Sequence, residues 1–226
     1  MSTIRVALVD DQAMFRRGVS MIVRSQPDLE VVGEAGNGEE AIALVDREHP
    51  DVVLMDVRMP VLDGVAATKR ILEAAAARRE TGPRIIVLTT FDLDADAASA
   101  IRAGASGFVL KDADPDFLIA AIRTVHAGTA VVAASATRAL LERFEPAERK
   151  PVPSEFTTLT GRERDVFAHA AKGLSNSEIA RTEFVSEATV KTHISNVLTK
   201  LGLRDRVQAC VFAYESGLVR PGTAAP

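Results

Sequence analysis

Much that would place this chain in a narrow class is missing from it. It has one cysteine, Cys210, in 226 residues. No internal disulfide can form, so neither a stapled secreted scaffold nor a cysteine-based structural zinc site is expected. Tryptophan is absent and aromatics make up only 4%, which leaves an aliphatic, alanine-rich core. No apolar run approaches the roughly 18 residues of a membrane span. The opening Met1-Ser2-Thr3-Ile4-Arg5 lacks the charged-then-apolar stretch of a signal peptide. A cytoplasmic protein with no membrane partner is expected.

What is present fits a globular protein: 47% hydrophobic and 26% charged residues. At roughly 150 residues per domain, the length suits two small domains or one large one. The net charge of −4 is uneven, with −5 over residues 1–144 and +2 over residues 157–226. That asymmetry is a weak hint that any polyanion binding belongs to the tail.

Through residue 127, short aliphatic runs alternate with amphipathic stretches. The runs are Ile4–Val9, Glu30–Ala35, Asp51–Met55, Arg84–Leu88 and Gly107–Leu110. Each is nearly continuous in apolar residues, as strands buried on both faces should be. The stretches between them have helical spacing, as in Phe15, Val19, Ile22 and Val23. This predicts an α/β domain, a five-stranded doubly wound parallel sheet of flavodoxin-like type. Asp114 and Pro115 predict the N-cap and first turn of its last helix. Ala134–Phe144 reads as one further helix, and the proline-rich Glu145–Ser154 as a linker. The predicted division is 1–127, then 128–156 as extra helix and linker, then an all-α domain over 157–226.

Ligand sites in such sheets lie beyond the carboxyl ends of the strands. There the sequence places Asp10-Asp11, Asp56, Thr89-Thr90 and Lys111. Each alone is ordinary surface; three carboxylates, one hydroxyl and one ammonium together at strand ends are not. Crowded carboxylates call for a hard divalent cation, and Mg²⁺ takes carboxylates, a carbonyl and waters. A carboxylate can also attack phosphorus to give an aspartyl-phosphate. Thr and Lys then supply the hydrogen bond and charge that a new phosphoryl group requires.

Val9-Asp10-Asp11, Leu54–Pro60 with Asp63-Gly64, Leu88-Thr89-Thr90 and Ala103–Lys111 resemble the receiver domain of bacterial response regulators over residues 3–127. The resemblance implies that Asp56 accepts phosphate from a sensor histidine kinase. It implies Mg²⁺ held by Asp11, more loosely by Asp10, and by Asp56 and the backbone carbonyl of Arg58. Thr89 and Lys111 would contact the phosphoryl group, with Thr90 a neighbour only. Phe108 stands at the family's switch aromatic, the alternative being plain core packing. Phe91 would shade the acyl phosphate from water. Three departures stand out: Asp112 where many relatives have proline after the lysine, and Asp96 and Ala98 where close relatives carry aromatics.

The tail reads as four short helices. Thr160 with Glu163 and Ser175 with Glu178 fit capping boxes, and Gly173 fits a left-handed stop. Ser186 caps Glu187–Leu201, and Asp205 opens a last helix with Val207, Cys210, Val211 and Tyr214 on one face. Residues 175–200 have helix-turn-helix proportions. Val190, Ile194, Val197, Leu198 and Leu201 form a buried stripe. Thr189, Lys191, Thr192, Ser195, Asn196 and Thr199 lie away from it, a face suited to a DNA groove or simply to solvent. Leu159–Glu163, Gly173–Ala180 and Ser186–Ser195 resemble the LuxR-type helix-turn-helix, and the domain order resembles the NarL/FixJ class of response regulators. By resemblance, Lys191, Thr192 and Ser195 would reach base edges, with Thr189, Asn196 and Lys200 nearer phosphates.

The last helix would join two effectors. Glu183 departs from the usual leucine, and a buried carboxylate there costs several kcal/mol unless paired.

The resemblance implies a two-component transcription regulator. Phosphorylation would drive homodimerisation and binding to double-stranded promoter DNA, with RNA polymerase a further partner. Such a protein catalyses only its own phosphorylation and dephosphorylation. The linker permits either masking of the recognition helix or a tethered dimer. A haloacid-dehalogenase-type phosphohydrolase needs an acid two residues after the nucleophile, and Arg58 stands there. A receiver acting through protein contacts alone would not need the polar face of 186–200. A metabolite-sensing LuxR-type regulator would need an apolar cavity.

Overall fold

A computed structural model describes residues 3–90, 95–127, 152 and 154–218. The predicted helix at Ala134–Phe144 and Phe91 lie outside the described residues. The chain divides into two compact units between Val131 and Val132, and each is described by itself.

The first unit is a parallel sheet of β1 (Ile4–Val9), β2 (Leu29–Ala35), β3 (Val52–Asp56), β4 (Arg84–Thr89) and β5 (Gly107–Leu110), in the order β2-β1-β3-β4-β5. The intervening helices are α1 (Ala13–Arg24), α2 (Gly38–Glu48), α3 (Gly64–Ala77), α4 (Ala95–Arg102) and α5 (Pro115–His126). Every residue of β3 is buried, as its unbroken apolar run requires of a central strand covered on both faces. Val19 and Val23 of α1 join Leu118, Ile119, Ile122 and Val125 of α5 over one face, with Phe15 and Ile22 packed against them. Asp114 caps α5 by accepting from the Asp116 amide, with Pro115 in the first turn. The chain steps from β1 to β2 in one direction and to β3 in the other. The switch point therefore lies between the tips of β1 and β3, and a crevice opens there. Val9 pairs with Met55, Asp56 with Leu88 and Thr89 with Leu110, which holds the functional tips nearly level.

The second unit opens with a 3₁₀ turn at Ser154–Thr158. It continues as α6 (Gly161–Ala171), α7 (Asn176–Thr182), α8 (Glu187–Leu201) and α9 (Arg206–Glu215). Both predicted capping boxes form, Thr160 with Glu163 and Ser175 with Glu178, each worth about 1 kcal/mol to its helix. Gly173 has φ 93°, the left-handed turn after α6 that glycine adopts at least cost. Val166 and Ala170 of α6, Ile179 and Ala180 of α7 and Val190 of α8 make one core. Phe167 packs edge-on against both Phe156 and Phe212, with centroids 5.6 and 5.9 Å away. Val207, Cys210, Val211 and Tyr214 are buried together on α9.

Glu183, the C-cap of α7, meets the condition set for a buried carboxylate. Its side chain is ion-paired with Arg162 and lies 2.9 Å from Nε2 of His169, both on α6. Arg162 also donates to the Glu183 carbonyl at 3.1 Å.

Candidate functional site

At the switch point, one oxygen each from Asp10, Asp11 and Asp56 lies within 4.8 Å of the others. Asp10 and Asp56 are 2% and 4% exposed, whereas Asp11 faces solvent. Lys111, one residue beyond β5, reaches back with Nζ 2.7 Å from Asp10 Oδ2 and 2.9 Å from Asp56 Oδ2. Burial pushes the Asp56 carboxyl above its ordinary value; Lys111 opposes that and the neighbouring Asp10 charge adds to it. For Lys111, burial pulls the ammonium down, but its bonds to Asp10 and Asp56 outweigh that and hold it above its usual range. One ammonium against three carboxylates leaves an acidic excess. Oxygen donors at this spacing fit a hard divalent cation sharing its shell with water.

The backbone supports the pocket. The Gln12 amide donates to Asp10 Oδ1 at 2.8 Å, and Arg16 donates to the Asp10 carbonyl at 2.6 Å. The Arg58 amide makes a long 3.4 Å contact with Asp56 Oδ1, which puts this peptide beside the Asp56 carboxylate. The Arg58 side chain turns away to Asp96, Nε to Oδ2 2.8 Å. Asp96 is therefore tied to the β3–α3 loop, and Ala98 is fully buried. The chain turns over Val61, φ 69°, with the Leu62 amide donating to the Pro60 carbonyl at 2.8 Å. A positive φ at a β-branched residue is strained, and such strain collects beside functional pockets.

Thr89 ends β4 at 4% exposure, while Thr90 is exposed. The Lys111 amide donates to the Thr89 carbonyl at 2.8 Å, so the two phosphoryl-contact candidates are coupled through the backbone. Phe108 is half-buried on the edge strand β5. Phe15, Arg16 and Gly64 belong to the pocket's surroundings, and the sequence reading gave none of them a role there. Phe15 and Arg16 follow the helical period of α1 and look like core and surface.

On α8, Val190 and Val197 are buried and Ile194, Leu198 and Leu201 partly so. Lys191, Thr192, Ser195, Asn196 and Thr199 are exposed, and Thr189 is half-buried. Ser186 caps the helix by accepting from the Thr189 amide. Thr192 and Thr199 bond back to the carbonyls of Ala188 and Ser195 at 3.0 and 2.9 Å. Lys200 is exposed as a residue, and its ammonium lies 2.7 Å from Oε2 of Glu163 on α6. That ammonium and the Thr160 amide hold the Glu163 carboxyl down at about 2. Arg206 of α9 donates to Asn176 Oδ1 at 2.7 Å and to the Leu174 carbonyl, fixing the start of α7.

Residues 6–123 match the response regulator receiver domain, and residues 157–213 match the bacterial regulatory proteins of the LuxR family. The chain belongs to the response regulators with a LuxR-type output domain. It is 42% identical over 218 residues to the transcriptional regulatory protein YxjL of Bacillus subtilis, covering 96% of this chain and 98% of that one. It is 35% identical to the nitrate/nitrite response regulator protein NarL of Escherichia coli, over 93% and 94% of the two chains. Among solved structures, the response regulator ChrA of a heme-sensing two-component system matches at 34% identity and TM-score 0.52, over 97% of this chain and all of that one. This response regulator is thus a transcription regulator of the two-component type, a receiver followed by a DNA-binding domain. Among the described residues, no helix is long and apolar enough to cross a membrane.

Proposed function

We propose that Asp56 takes a phosphoryl group from a sensor histidine kinase, and that this event controls dimerisation and promoter binding. An Asp56 carboxylate oxygen attacks phosphorus as the phosphorus–nitrogen bond of the donor phosphohistidine breaks, and the departing imidazole takes up a proton. Asp10, Asp11, Asp56 and the Arg58 carbonyl would hold Mg²⁺, which when bound offsets the negative charge of the phosphoryl oxygens. Lys111 leaves the Asp56 carboxylate to meet a phosphoryl oxygen, and the Thr89 hydroxyl donates to another. Thr89 is drawn inward, Phe108 follows it on β5, and a receiver surface becomes competent to dimerise. The chain's chemistry is confined to its own phosphorylation and dephosphorylation.

Domain limits of 1–127, 128–156 and 157–226 suit this division of labour. In the output domain, Lys191, Thr192 and Ser195 would read base edges, with Thr189 and Asn196 at phosphates. Lys200 would also lie nearer a phosphate, its ammonium shared with the Glu163 carboxylate. Two linked effectors gain through effective concentration what one weakly basic domain lacks. RNA polymerase is the downstream partner, and the cytoplasm the place where kinase, promoter and polymerase meet.

The observation that carries this reading is the convergence of Asp10, Asp11, Asp56 and Lys111 at the switch point of the sheet. Incubation with Mg²⁺ and a small phosphodonor tests it. The wild type gains one phosphoryl mass that maps to Asp56, and Asp56→Asn gains none; an unlabelled wild type contradicts it.

A further inference from the structure

We infer that Phe15 is a positioning residue for Lys111, holding the ammonium at the pocket through the face of its ring. The inference rests on the proposed role of the pocket and adds a residue to it. Among the described residues, Lys111 Nζ has three partners: Asp10 at 2.7 Å, Asp56 at 2.9 Å and the Phe15 ring with its centroid 5.0 Å away. The Lys111 side chain is only 9% exposed. The ring face carries the negative end of the aromatic quadrupole, and a cation within about 6 Å of it is attracted, more so when water is excluded.

The three partners respond differently when the pocket fills. A divalent cation held by the Asp10, Asp11 and Asp56 carboxylates would draw on the same negative charge that now holds the ammonium, and would repel it. The ring is neutral, so a cation in the carboxylate cluster does not compete for it. A lysine has a flexible four-carbon stem and a strongly hydrated head, and without the ring the head is free to leave for solvent. Phe15 is itself fixed, because α1 packs it against the sheet core. Its neighbour Arg16 bonds the Asp10 carbonyl, so the first turn of α1 steadies the pocket from two sides. The ring keeps Lys111 where the incoming phosphoryl oxygen needs it, without taking a proton or a metal coordination position.

The test uses the full-length protein with Phe15→Leu and Phe15→Met, which fill the space without a π face, and Phe15→Tyr, which restores it. Lysine-selective carbon labelling gives a readout that needs neither metal nor turnover. The Lys111 Hε resonances, assigned through Lys111→Arg, lie upfield in the wild type and Phe15→Tyr and return to ordinary positions in the Leu and Met variants. In the second arm, with saturating Mg²⁺ and acetyl phosphate, the Leu and Met variants are labelled about fivefold more slowly, the size of one partly buried cation–π contact. The half-saturating Mg²⁺ concentration is unchanged and Phe15→Tyr stays near the wild-type rate. Absence of the upfield shift in the wild type, or unchanged labelling rates in the Leu and Met variants, overturns the inference. A rate loss shared by Phe15→Tyr, or a rise in the half-saturating Mg²⁺, makes Phe15 a packing residue only and overturns it too. If the wild type is never labelled at Asp56, the phosphoacceptor reading fails and positioning for phosphoryl transfer fails with it, while the resonance arm still decides whether the contact exists.

Discussion

Gly64 sits against Asp56 so closely that a Cβ on it would lie 2.0 Å from the Asp56 carbonyl oxygen. The Gly64 amide donates to the Val57 carbonyl at 2.9 Å and its residue opens α3, so the helix start and the strand tip form one rigid corner. Neither backbone can yield without moving the Asp56 carboxylate.

Gly64→Ala therefore displaces the tip of β3 instead of merely crowding a loop. Overpacking of this kind costs about 1–3 kcal/mol, and it acts at the residue proposed to take the phosphoryl group. Acetyl phosphate labelling of Asp56 is expected to fall by more than tenfold, with a lowered receiver melting temperature in calorimetry. Wild-type labelling in Gly64→Ala would mean the corner is soft.

A buried carboxylate with a raised pKa weakens the fold that holds it. The folded value of Asp56 lies above its unfolded value. The stability it contributes is full below the unfolded value near 4 and is lost as pH rises through the raised one. Asp56→Asn removes that loss. In EDTA at pH 7 the variant is expected to melt above wild type, and the gap closes as the pH falls to about 4. Mg²⁺ narrows the gap from the other side, because it stabilises only the charged pocket. Calorimetry with and without Mg²⁺ reads both trends.

The opposite sign holds at Glu163. Its folded pKa of about 2 lies below the ordinary carboxylate value of 4.5. The stability is present above the unfolded value and is lost as pH falls from about 4.5 toward 2. Glu163→Gln keeps the capping box, since glutamine serves at that position, but loses the attraction to Lys200. Lys200 is partly exposed, which limits the loss to about 1 kcal/mol, or about 4–8 °C for a domain this small. Tyr214, the single tyrosine, is buried on α9, so tyrosine fluorescence of the full chain reports this domain alone. Wild type and variant should differ at pH 7 and converge below about pH 2.

How much of this was legible in the sequence depended on range. The strands and capping boxes depend on neighbours a few residues away, and the run Asp51–Met55 or the pair Ser175 and Glu178 carried them unaided. Membership of the pocket was legible because strand-end positions follow from the sheet's topology. Its contacts were not: Lys111 straddling Asp10 and Asp56 joins residues 101 and 55 apart in the chain. Glu183 read as a liability because Arg162 and His169 lie on a different helix. The pairing of Lys200 with Glu163 was not legible either, because the two lie 37 residues apart on different helices. Phe15 was hidden by its own regularity, since a phenylalanine in helical register reads as core.

The most direct test of the account compares DNA binding by the full-length protein before and after phosphorylation at Asp56. The DNA is a duplex selected by this protein from a random-sequence library, and sedimentation is measured in parallel. The account predicts that phosphorylated wild type sediments as a dimer and binds at least about tenfold more tightly, while Asp56→Asn treated identically stays weak. Equal affinity with and without the phosphoryl group, in a protein shown by mass to carry it, would contradict the account.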